Sequence, residues 1–173
     1  MSGLGDEIGN PLPEYTMHRT WTEWAPLPLR IVLAVGLIYH GFPKLFSAEE
    51  HQGFVGMLTG IGVPAPELAA WVVGIVEFVG GIMILLGAWT AIAAGLNIIN
   101  MLVALFTVHL PNGFSFINMT GMGPEGATFG MPGYEVNLLY IGGLLALIIG
   151  GAGALSVDAA RRDRAHDHSP GLR

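Results

Sequence analysis

The chain alternates long apolar runs with shorter polar breaks, and the runs are of membrane-spanning length. Residues 27–46 read Leu-Pro-Leu-Arg-Ile-Val-Leu-Ala-Val-Gly-Leu-Ile-Tyr-His-Gly-Phe-Pro-Lys-Leu-Phe. About 20 apolar residues in a helix cross about 30 Å of hydrocarbon. A second run, 66–86, opens on Pro64-Ala65-Pro66-Glu67, where proline suits the first turn and an acidic residue favours the helix dipole. Gly87-Ala88-Trp89-Thr90 allows only a tight hairpin, so the third run, 89–110, returns antiparallel to the second. Pro111 biases Leu110 out of the helical region and ends it. A fourth run, 134–155, finishes among Gly150, Gly151 and Gly153. This pattern predicts an all-α integral-membrane four-helix bundle over residues 27–157, with an N-terminal segment 1–26 and a solvated tail 158–173.

The breaks between the runs are also informative. Residues 1–26 are polar and interrupted by glycine and proline, and they lack the basic, apolar and small-residue succession of a cleavable signal, so the first helix is expected to be a retained anchor. Trp21 and Trp24 suit a headgroup-level aromatic belt or local packing. Residues 47–64 form an extramembrane segment, with a short interfacial helix expected near 53–57. Residues 111–133 are rich in Gly and Met, too polar to cross a membrane, and longer than an ordinary connection. They are either a functional lid or a disordered loop.

Composition agrees with the pattern: 52% hydrophobic residues and 12% charged, with a mean hydropathy of +0.58, describe a polytopic membrane protein. With 0 Cys, disulfides, thiolate metal sites, iron–sulfur clusters and thiol nucleophiles are excluded. A net charge of -6 argues against nucleic acid as a partner. Of 7 Lys and Arg residues, Arg19 and Arg30 flank the start of the first helix and Arg161, Arg162, Arg164 and Arg173 lie in the tail. The positive-inside rule then puts both termini in the cytoplasm, in a multi-pass protein of the cytoplasmic (inner) membrane.

Charges inside apolar runs need an explanation, because a cation near a helix centre costs roughly 2.5 to 3.5 kcal/mol and so faces a bundle interior or an interface. At about 100° per residue, Lys44 projects about 40° from both His40 and Arg30, so all three share one face if Pro43 only kinks the helix. Glu77 lies on a face with Ala70, Gly74 and Gly81, small residues that permit close helix contact. Lys44 and Glu77 are expected to form an intramembrane ion pair, with His40 and Glu135 completing a network that either handles protons or ligands or only fixes helix register. Asn97 and Asn100 are more often helix bridges than ligands. Glu135 and Asn137 open the fourth helix and His109 stands at the exit of the third. In an ideal helix His109 points roughly 120° to 180° from the asparagines, so a shared pocket requires unwinding there.

The ordered set of His40-Gly41 and Lys44, Gly62 to Pro66, Val76-Glu77-Phe78-Val79-Gly80-Gly81, Val108-His109-Leu110-Pro111-Asn112-Gly113-Phe114, Gly133-Tyr134-Glu135-Val136-Asn137 and the terminal run from Gly151 to Asp158 resembles the DoxX family of small four-helix membrane proteins. The one departure is that the hairpin after the second helix lacks the arginine that relatives often carry. The resemblance implies a membrane subunit of an electron-transfer system, since similar proteins include the membrane subunit of a thiosulfate:quinone oxidoreductase and others accompany soluble redox enzymes. It leaves open a non-catalytic anchor or assembly subunit, and a small-solute transporter.

A quinone site needs a hydrogen-bond donor for each carbonyl and a titratable group to pass protons. The candidate catalytic residues are Glu77, His40 and Lys44, and the candidate cofactor-binding residues are His40, His109, Glu135 and Asn137. A haem b with His40 and His109 as axial ligands is the alternative, signalled weakly by two histidines on different helices. No metal site is expected; Met119, Met122 and Met131 suit Cu(I) chemically but are irregularly spaced, and fit adaptable packing better. The partners implied are the bilayer, a soluble redox protein or other membrane subunits, and further copies of the chain.

Overall fold

A computed structural model describes residues 21–167. Its helices are α1 (Pro26–Phe46), α2 (Ala48–Gly60), α3 (Pro66–Leu86), α4 (Thr90–Ala104), α5 (Glu135–Gly150) and α6 (Val157–Asp167), and a hairpin of β1 (Met119–Gly123) and β2 (Gly126–Phe129) lies between α4 and α5. The chain is therefore mostly helical, and the all-α expectation is corrected at the long loop. There Met119 to Gly123 pair antiparallel with Gly126 to Phe129, which gives the loop's backbone groups partners that a coil would lack. The expected signal-free N-terminal segment lies mostly outside the described residues.

Three helices, Trp21–Phe46, Pro66–Leu86 and Thr90–Asn112, are long and apolar enough to cross a membrane, and Glu135–Gly150 is a shorter apolar helix. No more than 33% of the best window of any of the three is buried inside the protein, and their outward residues are large and apolar: Val32, Ile92, Ile99 and Phe106 are exposed. A water-facing helix would carry polar residues there. This is a membrane protein in contact with lipid.

The four apolar helices enclose one core of Leu33, Ala34 and Leu37 from α1, Ile84 from α3, Ala93 and Ala94 from α4, and Leu144 and Leu147 from α5. Pro43 lies within α1 and does not end it. The tightest pairing is α1 on α3, where small residues bring the backbones together: a Cβ on Gly41 would lie 2.5 Å from the Phe78 nitrogen, and one on Gly81 3.2 Å from the Ala34 oxygen.

One end of the bundle is tied by Arg30 and Asp158. Arg30 is 1% exposed and is not on a shared site with Lys44, fourteen residues and several turns away along α1. Its Nε donates to the Ile84 carbonyl at 2.9 Å, Nη2 to the Leu85 carbonyl at 2.5 Å and Nη1 to the Ala152 carbonyl at 2.9 Å, so one guanidinium satisfies the end of α3 and the turn after α5. That turn begins earlier than expected. Helix α5 stops at Gly150 because Gly151 and Gly153 adopt φ of +77° and +71°, a left-handed backbone that favours glycine and cannot continue a helix.

Asp158, expected in a solvated tail, instead caps α4. Its carboxylate accepts from the Trp89 N–H at 2.8 Å, the Thr90 N–H at 2.9 Å and the Thr90 hydroxyl at 2.8 Å, and Arg161 stacks 3.9 Å over the Trp89 ring. Partial burial pushes the Asp158 carboxyl up, but the hydrogen bonds from Thr90 and Trp89 and the charge of Arg161 outweigh it and hold the group below the usual carboxylate range.

Candidate functional site

The opposite end of the bundle contains a cavity of about 400 Å³, within the range of sites that enclose small ligands. Its wall is mainly apolar, and its polar residues come from every helix of the bundle: His40 and Lys44 from α1, Glu77 from α3, Asn100 from α4, and Asn137 and Tyr140 from α5, with His109 at the exit of α4.

Lys44 and Glu77 form the expected ion pair, Nζ to Oε2 at 2.5 Å. The ammonium also donates to the His40 carbonyl at 2.8 Å and lies 4.9 Å over the Phe54 ring. The second carboxylate oxygen, Oε1, accepts from Asn100 Nδ2 at 3.1 Å. Glu77 is 6% exposed, and both its oxygens are therefore engaged, one by a charge on α1 and one by an amide on α4. Such full pairing is what makes a buried carboxylate tolerable.

The network differs from the expected one at two residues. Glu135 does not join it: its Oε2 accepts from the Phe116 N–H at 2.9 Å, fixing the loop that precedes α5. The His40 ring also makes no bond to the pair; it is exposed and packs edge-on against Tyr39 at 5.4 Å, while its carbonyl contributes. The physical reason is reach. Lys44, four residues on, folds its ammonium back over the helix end to the His40 carbonyl, and Asn100 occupies the side that Glu135 was expected to fill.

His109 reaches the cavity because α4 changes pitch. Residues Leu105–His109 form a π-turn, followed by a 3-10 turn over Leu110–Asn112, and the wider turn supplies the unwinding that an ideal helix lacked. His109 Nδ1 donates to the Pro132 carbonyl at 2.9 Å. A carbonyl only accepts, so Nδ1 bears the proton and Nε2 is the nitrogen left for a ligand. Asn137 Nδ2 makes only a long contact of 3.4 Å to the Met101 carbonyl. Asn97 is spent elsewhere, bonding the Val76 carbonyl at 3.1 Å and its own turn at the Ala93 carbonyl at 3.0 Å, the helix-bridging role that its residue type favours.

Two residues near the site escaped the sequence reading. Tyr140 lines the cavity three residues after Asn137, a same-face spacing that was available as a signal. His51 on α2 is 6% exposed, donates from Nδ1 to the Lys44 carbonyl at 2.7 Å and packs 4.4 Å from Trp71. Nothing in its polar neighbourhood, Ala48 to Gln52, marks it as buried.

A family model described as DoxX matches residues 25–110, which includes Lys44, Glu77, Asn100 and His109. The chain is 32% identical over 131 residues to the inner membrane protein YphA of Escherichia coli (strain K12), covering 75% of this chain and 84% of that protein. It is 32% identical over 149 residues to the uncharacterized membrane protein Rv3486 of Mycobacterium tuberculosis, covering 83% and 86%, and 30% identical over 131 residues to an uncharacterized protein of Haemophilus influenzae, covering 75% and 85%. No solved structure matches the chain.

Proposed function

The chain belongs to the DoxX family of membrane proteins, and from that premise we propose that it is the membrane subunit of an electron-transfer system, binding a quinone in the cavity and docking a soluble oxidoreductase at the outer face. The observation that carries this reading is the cavity itself: an apolar chamber with a charged, fully bonded Lys44–Glu77–Asn100 cluster on one wall and His109, Asn137 and Tyr140 bordering the same space.

In this reading the protein crosses the cytoplasmic membrane four times with both termini inside. Helix α5, at 16 residues, is about 24 Å long and falls short of a full crossing, and the Arg30-tied turn after it supplies the remaining depth. The basic residues Arg161, Arg162 and Arg164 lie at the Arg30 end, which sets that end in the cytoplasm and the cavity toward the outer leaflet.

A bound quinone supplies two carbonyl oxygens and takes up electrons with protons. The donor set fits such a group, since Lys44 Nζ, Asn100 Nδ2, Asn137 Nδ2, His109 Nε2 and the Tyr140 hydroxyl are nitrogens and oxygens that bear or accept protons. Asn137, with its single long contact, orients a carbonyl; Glu77, held between Lys44 and Asn100, holds and passes a proton; the apolar wall excludes water. The exposed Phe114, Phe116 and Ile117 present the surface for a soluble partner.

Native mass spectrometry with organic extraction tests the reading on protein taken gently from its own membrane. About one quinone per chain is expected, with binding about tenfold weaker in Asn137→Leu, which loses one orienting hydrogen bond. Recovery with phospholipid alone overturns it. The completeness of the Lys44–Glu77–Asn100 bonding favours one other reading, a non-catalytic anchor whose polar cluster only sets helix register, and that reading predicts the lipid-only result.

A further inference from the structure

Helix α2 is unlike the other helices. It is the least apolar of those around the cavity, and it lies over the cavity's polar wall: Phe54, Met57 and Leu58 form part of the lining, with the Phe54 ring 4.9 Å from the Lys44 ammonium. Its opposite side is uncovered, since a Cβ added at Gly53, Gly56 or Gly60 would meet nothing within 4 Å. Both ends are articulated. Ser47 is extended, with φ −119° and ψ 117°, and Gly62 beyond the far end has φ +77°.

His51 fastens this helix. Its Nδ1–H donates to the Lys44 carbonyl at 2.7 Å, and its ring rests on Trp71 of α3. The other nitrogen, Nε2, is buried without a hydrogen-bond partner. One bond holds α2 down while one buried acceptor is left unsatisfied, and moving α2 outward loses the first but hydrates the second. Closed and open positions are thereby brought close in free energy.

We propose that α2 is a lid on the cavity and that the hydrogen bond from His51 to the Lys44 carbonyl is its latch. The inference rests on the cavity being a binding site. A ligand inside adds apolar contacts to Phe54, Met57 and Leu58 and shifts the lid toward closure, because it interacts with the closed position more than with the open one. His51 touches nothing inside the cavity; it is a positioning residue that acts through Lys44.

Because the chain contains 0 Cys, one introduced cysteine reports without background. In full-length protein in lipid nanodiscs, Met57→Cys places a thiol on the cavity side of α2, and its rate of reaction with a water-soluble maleimide measures opening. His51→Phe, which cannot reach the Lys44 carbonyl, is expected to raise that rate about tenfold. His51→Asn, whose amide N–H replaces Nδ1–H, is expected to restore slow reaction. A thiol at Ala94, which is 0% exposed in the core, is expected to stay unreactive in every background. Equal rates in all three backgrounds overturn the lid, as does reaction at position 94 in His51→Phe, which marks general loosening of the bundle. A short-chain quinone added to the His51 protein is expected to slow the reaction at position 57. If it does not, while the His51 effect stands, the lid holds and the quinone reading fails.

Discussion

Asn100 Nδ2 lies 3.1 Å from Glu77 Oε1, so the carboxylate is gripped by α4 on one oxygen while Lys44 of α1 holds the other. The cluster therefore reports the relative placement of α1, α3 and α4 as well as the chemistry of the cavity wall. Removing one partner leaves the other charged and buried. Glu77→Leu alone is expected to cost about 3 to 5 kcal/mol of stability, and the double variant Lys44→Met with Glu77→Leu clearly less. Thermal unfolding of the wild type, both single variants and the double in one detergent gives the coupling directly; a double variant as unstable as the sum of the singles would show that the pair is not energetically linked.

At the other end, Arg30 depends on geometry as well as charge. A lysine there keeps the charge but reaches fewer of the carbonyls at Ile84, Leu85 and Ala152. Arg30→Lys is expected to lose at least about 1.5 kcal/mol, read as a lowered unfolding midpoint, with ligand binding in the distant cavity changed little.

Packing of α1 on α3 leaves no room at Gly41, where a Cβ would come within 2.5 Å of the Phe78 nitrogen. Gly41→Ala is expected to force the helices apart at a cost of about 1 to 3 kcal/mol. Gly95, where a Cβ meets nothing within 4 Å, serves as its control; Gly95→Ala is expected to be neutral or stabilising. Comparable losses at both positions would contradict the close approach.

Asp158 makes stability depend on pH at the acid end. Its folded-state value is depressed, so its contribution is fully present above the unfolded value of about 3.9 and is lost as pH falls through the lower folded value. Asp158→Asn is expected to be less stable than wild type at neutral pH, the gap closing as the solution is taken below about pH 4. Unfolding midpoints of both proteins between neutral and acid pH check the sign; a gap that widens on acidification contradicts it.

The apolar runs were legible because a lipid-facing helix is apolar on nearly every side, a signal that needs no knowledge of its neighbours. The span 66–86 matches α3 (Pro66–Leu86), and the small-residue face of Glu77 is the one that meets α1. The Lys44–Glu77 pair was legible for a related reason, that each charge in an apolar run needs a partner and few were on offer. Glu135 was misassigned because its partner is a backbone N–H of the long loop, at Phe116, and loop paths leave no periodic trace. His51 was missed because a histidine in a polar run looks solvated until a tryptophan from another helix covers it. The position of His109 depended on a π-turn, which local sequence does not announce.

Asp158 and Thr90 are 68 residues apart, and this separation has a bearing on the order in which the protein is made. Helices α3 and α4 leave the ribosome as an antiparallel pair whose connecting turn still lacks its carboxylate, and Arg30 emerges still earlier, with half of its carbonyl acceptors unsynthesised. Only when residues 151–158 appear are both completed. The bundle is thus locked from its last segment back to its first, so that a chain released before that segment is made carries an arginine with too few acceptors in its interior, a natural mark for the quality-control proteases of the membrane.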